Sequence, residues 1–427
     1  MSQLALLGGP KACSFDRVET WEPDYEREIA LCSQIIRERA FSNTGHPIAL
    51  EFEQRFRELV SGTEFVLPQN NGTSTLIAGY FAVGVGPGDE VICPTYTWIC
   101  SFAPAMVLGA KPVFCDLDPE TLCLDPADLE RWITPRTRAI CVPHLFGSVC
   151  DLDPIMEVAR AHGIAVVEDC SHSHGARYDG KPIGSIGDVG CFSMQGASPS
   201  GKPVGAGEGG VFCTNNRHYY ERVLAFGHFN RYNISTELTE PPLTELTTAT
   251  WGMIKFRATN LSLAIGLVAL DSLEYRNRRI KENYDALLGL IADVECLRPV
   301  KSYPKAENAG FYGNLRLIFH PEAAGGLSPE RFAAAVAAEG ASLGGRNYDG
   351  YHLTSPFSTG MAFYDDGRGV ISPQEGYVPQ GPGSLPKAEK VIPNILALPT
   401  MIDPPDGYIE GMATAIRKVA HHYRDLL

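Results

Sequence analysis

No apolar run in this chain approaches the roughly 20 residues that a membrane-spanning helix needs. The first residues, MSQLALLGGPKAC, carry neither a basic stretch nor a long apolar core, so no secretory leader is read there. Positive charge is scarce: 36 Lys and Arg stand against 50 Asp and Glu, a net −14. That balance argues against a nucleic-acid surface and against binding to anionic membranes, and no basic stripe or helix-turn-helix pattern offsets it. An anionic ligand would need a local basic pocket. Cysteine is present in number, 12 in all, but no two form a CxxC pair. Cys93, Cys115, Cys141, Cys191 and Cys213 sit inside apolar runs. They read as small buried hydrophobes in a reducing compartment, by default the cytoplasm, and not as a disulfide or zinc framework. No internal repeat or low-complexity tract is found.

What is there suits a large globular chain: 427 residues, 44% hydrophobic and 20% charged, enough for one large domain and a smaller one. Strand-like runs alternate with helical periodicity through the first half. Strands are expected at 66–68, 91–94, 111–115, 139–142, 164–167, 189–194 and 210–214, with helices between them. That rhythm means βαβ units and a mostly parallel sheet, with ligands at the carboxyl ends of the strands. Helices are expected at 25–39, 47–60, 99–108, 153–163 and 217–226, then at 261–274 and 275–291 as two pieces. The second piece, with Arg276, Arg278, Arg279 and Lys281, reads as a solvated connector. A polar stretch at 228–250 is weakly periodic, and a loop that long is usually functional or an interface element. The expected organisation is an arm at 1–25, a large domain at 26–275 and a smaller α+β domain at 276–427.

The chain is organised around residues 164–210. A buried-type strand ends in Glu168-Asp169, and a second apolar run leads into a Gly/Ser/Pro loop carrying Lys202 and ending in Gly207-Glu208-Gly209-Gly210. An acid at a strand end and a lysine in a small-residue loop are what pyridoxal phosphate (PLP) requires. The lysine can form a Schiff base, and the acid can keep the pyridine nitrogen protonated so that the ring accepts carbanion electrons. Taken alone, Asp169 equally fits a helix cap and Lys202 a solvated loop lysine. Upstream, Asn70-Asn71-Gly72-Thr73-Ser74 opens an apolar helix. Small residues with free N–H groups at a helix start make an anion site, a phosphate cradle from Gly72, Thr73 and Ser74, although a plain N-cap gives the same pattern. His144 follows a strand end and fits a satisfied structural histidine better than a pocket residue.

The motif ED-x-S-H-S-HGA, then GK-x-I-GS-x-GD-x-x-x-FS, then a lysine five residues before GEGG, resembles the DegT/StrS-type aminotransferases, PLP enzymes that aminate keto-sugars and keto-cyclitols. The LALLGGPK arm is similar to the inosose aminotransferase and aminohydroxybenzoate synthase branches. The resemblance implies PLP fold type I, an α/β architecture with a mixed, mostly parallel sheet flanked by helices. It implies that Lys202 carries PLP, Asp169 pairs with the pyridine nitrogen, Ser193 binds the phosphate and Trp98 stacks on the ring. His172 stands where most members have glutamine. Arg257, in the segment 251–260, matches a position that reaches the partner's cofactor phosphate across a homodimer. Without the resemblance, Trp98 is a core aromatic at a strand corner and Arg257 an exposed arginine at a helix entry. One departure is visible: Ser193 and Lys202 lie nine residues apart, about four more than in the family. The extra residues, 197–200, fit an outward bulge because the spacing from Lys202 to GEGG is kept.

The function expected is transamination in two half-reactions. Glutamate or glutamine gives its amino group to PLP, leaving pyridoxamine phosphate (PMP), and a keto-cyclitol or keto-sugar takes it up. Nucleotide-linked keto-sugars remain an alternative acceptor. Sugar dehydratases of the same fold are another reading, but they carry histidine in place of the lysine. A PLP-sensing regulator is a third. No metal site is expected.

Overall fold

The computed structural model describes residues 3–197, 199–228, 237–241, 243–246, 254–312, 315–346 and 348–427. Most of the polar stretch at 228–250, the segment 251–253 and Ser198 therefore lie outside the described residues. The strands of the first half are β1 (Phe65–Gln69), β2 (Glu90–Pro94), β3 (Lys111–Cys115), β4 (Thr137–Pro143), β5 (Ala165–Asp169), β6 (Arg177–Tyr178), β7 (Lys181–Pro182), β8 (Val189–Ser193) and β9 (Gly210–Thr214). Beyond them come β10 (Leu297–Pro299), β11 (Ala306–Glu307), β12 (Leu315–Phe319) and β13 (Ile395–Leu398).

Seven strands form one sheet in the order β1-β9-β8-β5-β4-β2-β3. Strands β8, β5, β4, β2 and β3 are parallel neighbours. β9 runs against both of its neighbours, β8 and β1. Every residue of β2, β8 and β9 is buried, as expected for runs of Val, Ile, Cys and Phe covered on both faces by helices. The expected mixed, mostly parallel α/β sheet is therefore present. The topology also decides where the loops gather. In the β8–β9 register Ser193 pairs with Gly210, and in the β1–β9 register Gln69 pairs with Gly210. The end of β8, the start of β9 and the end of β1 thus share one sheet edge with the carboxyl ends of β5, β4 and β2.

Two helical expectations change. Residues 260–290 form one helix, Asn260–Leu290, rather than two. Composition shifts from apolar to charged near residue 275, but no proline or glycine stands there to end the helix. The boundary drawn after residue 275 thus falls inside a continuous element. Arg276, expected on a solvated face, is completely buried. Conversely, the stretch 99–108 divides into a 3-10 turn, Ile99–Ser101, and a short helix, Ala103–Val107. Pro104 within it lacks the N–H that a continuous helix would use.

The helix Asn260–Leu290 packs on Tyr25–Glu38 and Pro47–Phe56 near the large sheet and on Tyr408–His421 farther along. The antiparallel sheet β10-β12-β13 and helices Pro329–Ala338 and Tyr408–His421 surround a separate core that includes Leu317, Phe332 and Ile416. Leu4 of the amino-terminal arm joins that core, and the Ala5 and Ala12 N–H groups donate to the buried Glu339 carboxylate. No described helix is long and apolar enough to cross a membrane. All 12 cysteines are free thiols.

Candidate active site

The sheet edge opens into a cavity of about 450 Å³, within the usual range for small-molecule sites. Asp169 closes β5 at its floor and is 7% exposed. Its Oδ2 accepts from the Ser101 hydroxyl at 2.8 Å and its Oδ1 from the Ser171 N–H at 3.2 Å. Ser101 is itself 2.7 Å from the Thr97 hydroxyl. These donors hold the carboxylate in one orientation.

The helix Gly72–Ala82 begins at the same edge. Asn71 caps it, its Oδ1 accepting from the Ser74 N–H at 2.7 Å and the Ser74 hydroxyl at 3.0 Å. The N–H groups of Gly72 and Thr73 have no partner among the described residues, and both residues line the cavity. Ser74 lies outside the cavity wall, its hydroxyl engaged by Asn71. A Cβ on Gly72 would come within 2.5 Å of the Ser193 Cβ, so only glycine lets the helix start approach that serine. A Cβ on Gly210 would lie 2.6 Å from the Asn71 carbonyl oxygen. The final glycine of GEGG is thus a close-packing requirement of the same corner.

Lys202 reaches the cavity from the loop between β8 and β9. Gly196 and Gly207 exchange both backbone hydrogen bonds, and the Lys202 N–H donates to the Gln195 carbonyl at 2.9 Å. Those bonds close the base of the loop, and Ala197 and Ser200 project to the exterior. Of the extra residues, Ala197 and Ser200 are thus exposed and Pro199 half-buried, and Ser198 lies outside the described residues. Lys202 is 6% exposed. Burial pulls its pKa down to about 7, against the opposing attraction of Asp169 and Cys100.

Beside the amine stands a tyrosine that no sequence motif announced. Lys202 Nζ lies 3.7 Å from the centre of the Tyr312 ring, and Tyr312 lies 4.6 Å from the His172 ring. His172 Nδ1 accepts from the Phe146 N–H. Burial, reinforced by Lys202 and Arg316, holds its pKa well below the ordinary histidine value, so the ring is neutral. Trp98 lines the cavity with half its surface exposed, 5.8 Å from Tyr348. Arg257 is outside the wall of this cavity; its backbone bridges to Gln69, just before the helix start. His144 touches the cavity, but both ring nitrogens are engaged: Nδ1 accepts from Cys150 N–H and Nε2 donates to Glu168. Glu168 and Cys170 complete a buried trio with metal-ligating atoms. The Glu168 carboxylate is already occupied by three backbone N–H groups, from Gly184, Ile186 and Gly187.

The structure thus brings Lys202, Asp169, Gly72, Thr73, Ser193, His172 and Trp98 to one cavity, and leaves Ser74 and Arg257 outside its wall. Ser101, Gln195, Tyr312 and Tyr348 are additions. Ser101 follows a strand end, a positional signal that was available; the two tyrosines belong to distant irregular segments and carried none.

The donor set fits PLP. An amine that titrates near neutrality, a fixed carboxylate and a helix start with two open N–H groups meet the needs of a carbonyl, a pyridine nitrogen and a phosphate in turn.

The profile of the DegT/DnrJ/EryC1/StrS aminotransferase family matches residues 23–356. The L-glutamine:2-deoxy-scyllo-inosose aminotransferase of Micromonospora echinospora is 36% identical over 294 residues, 67% of this chain and 68% of that protein. GDP-perosamine synthase of Caulobacter vibrioides is 39% identical over 243 residues, 53% of this chain and 57% of that protein. The crystal structure of DesI in the presence of its TDP-sugar product superimposes with a TM-score of 0.79 at 26% identity, covering 99% of this chain and 97% of that one.

Proposed function

The chain belongs to the DegT/DnrJ/EryC1/StrS aminotransferase family, and from that membership we propose a PLP-dependent transfer of an amino group from glutamine or glutamate to a ketone on a hydroxylated six-membered ring. The observation that carries the cofactor assignment is the meeting of a buried lysine of pKa about 7 with a donor-held carboxylate and a helix N-terminus in one cavity. When bound, PLP supplies a carbonyl that joins covalently to amines and a protonated pyridine that accepts the electron pair of a deprotonated carbon.

The chain's own residues then have separable tasks. Lys202, with a pKa near neutrality, is available as a nucleophile without a strong external base. With the cofactor and amino donor bound, the same amine would be placed to take a proton from the donor's α-carbon and return it. Asp169, fixed by Ser101 and Ser171, keeps a proton on the pyridine nitrogen. Gly72 and Thr73 offer N–H groups to the phosphate, with Ser193 beside them. Neutral His172 flanks the ring without placing a second cation next to Lys202, and Trp98 at the mouth serves as a stacking surface. Arg257 is assigned to the phosphate of a partner subunit in a homodimer. The free thiols favour a reducing, cytoplasmic setting.

Thr97, Ser171, Gln195 and Tyr348 give the cavity a hydroxyl- and amide-bearing wall, suited to a polyhydroxylated ring. Among the described residues lining it, Lys202 is the one lysine or arginine. That wall and the likeness to the Micromonospora enzyme favour a free keto-cyclitol acceptor. A nucleotide-linked keto-sugar is the second reading, favoured by the likeness to GDP-perosamine synthase and DesI. An acceptor screen with inososes and nucleotide-linked keto-hexoses, with product mass as readout, separates them. Borohydride reduction and peptide mapping test the lysine; a pyridoxyl label on Lys181 or Lys255 would refute Lys202.

A further inference from the structure

We propose that Tyr312 is a positioning residue for Lys202, its ring face holding the amine inside the cavity, and that a clamp formed by buried Arg276 and half-buried Asn277 delivers it there. The two residues sit on the long helix Asn260–Leu290, and neither takes part in the chemistry assigned above. Arg276 donates through Nη1 to the Gly310 carbonyl. Asn277 accepts from the Gly310 N–H at 3.0 Å and donates to the His174 carbonyl at 2.9 Å. The Tyr312 N–H donates to the His172 carbonyl at 3.4 Å. One pair of helix residues thereby fastens the Gly310–Tyr312 loop to the turn that follows β5.

The loop's backbone shows how tightly it is drawn in. Gly310 has φ +88°, and a Cβ there would lie 2.6 Å from the His172 carbonyl oxygen. Phe311 takes φ 48°, a left-handed conformation that a bulky L-residue adopts only when its surroundings impose it. Behind it, a Cβ on Gly147 would meet the Phe311 nitrogen at 2.8 Å. The result of this packing is a tyrosine ring 3.7 Å from Lys202 Nζ.

An aromatic face attracts an ammonium and not a neutral amine. The titratable groups coupled to Lys202 are Asp169 on β5, Cys100 on the turn after β2, and His172 and His174 on the turn after β5; His144, Glu208 and Tyr348 line the same cavity. Because Lys202 titrates near neutrality, a modest ring contribution changes the fraction of free amine at working pH.

The test uses the full-length protein without cofactor and measures the pH dependence of Lys202 labelling by an amine-reactive reagent, quantified on its peptide. Tyr312→Phe should titrate as the parent does. Tyr312→Leu keeps apolar volume but loses the ring, and should lower the Lys202 pKa by roughly 0.5–1. Asn277→Ala should move it the other way, toward an ordinary lysine, because the loop leaves and water enters. If Tyr312→Leu does not fold, phenylalanines with increasing ring fluorination at position 312 preserve the shape, and the pKa should fall stepwise with each fluorine. Titration unchanged in Tyr312→Leu or across the fluorinated series overturns the proposal, as does Tyr312→Phe shifting as far as Tyr312→Leu. The proposal's functional meaning rests on Lys202 as the cofactor lysine, but the titration does not. A pyridoxyl label elsewhere would remove the first and leave the second standing.

Discussion

Replacing Lys202 with methionine should stabilise the cofactor-free protein while abolishing its activity. The reasoning starts from burial: the amine is 6% exposed and its pKa falls from 10.5 to about 7. In the unfolded chain the lysine keeps its proton up to about pH 10.5; in the folded chain it loses it above about 7. Between those values the unfolded state binds more protons, so stability rises with pH across the window and the full cost is present below pH 7. At about 1.4 kcal/mol for each pH unit, the distance between the two pKa values corresponds to about 5 kcal/mol. Methionine fills a similar volume without a charge to desolvate. Relative to the parent, Lys202→Met should therefore gain about 4 kcal/mol at pH 7 but only about 2 kcal/mol at pH 9. Urea unfolding of both proteins, at one protein concentration and at both pH values, reads the difference, and other titrating groups cancel in the comparison. A stability difference equal at the two pH values would refute the reasoning, as would a variant less stable than the parent at pH 7. A functional group held at an energetic disadvantage in its own fold is what the trade-off between activity and stability predicts.

Asp169→Asn should retain PLP by its absorbance yet lose turnover by at least about 100-fold, because an amide cannot hold the pyridine nitrogen charged; native-rate turnover would reduce Asp169 to a structural acid. Ser101→Ala, which removes one hydrogen bond to a charged group, should lower kcat by roughly 10- to 100-fold with little change in KM, and steady-state kinetics will show whether the split holds. Gly72→Ala should weaken PLP retention at least about tenfold in equilibrium dialysis, since the new Cβ would sit 2.5 Å from Ser193 and push the phosphate corner apart; unaltered affinity would place the phosphate elsewhere. Arg257→Ala should weaken PLP retention, and mixing it with inactive Lys202→Ala should restore part of the activity if Arg257 serves the partner's site. No recovery despite demonstrated subunit exchange would return Arg257 to its own subunit or outside any site.

Composition and periodicity determined a good deal by themselves. The alternation of apolar runs and helical segments specified a mostly parallel sheet because a buried strand has a distinctive all-apolar pattern. Residues at strand ends, Asp169 and Ser193 among them, could be placed at one edge because parallel strands share their carboxyl ends. Lys202 stood out only through the family resemblance that its spacing to GEGG carries; the Gly196–Gly207 bonds and the tight packing of Gly210 hold that loop in place. Other features depend on pairs of residues that only folding brings together. That Ser101 holds Asp169, that Ser74 is occupied by Asn71, and that Lys202 rests on Tyr312 follow from contacts between segments far apart in the chain. The same holds for Arg276, whose charged neighbours along the sequence suggested solvent. Its burial was decided by the packing of the Gly310 loop across the helix, because local composition records a residue's neighbours in the chain and not those in space.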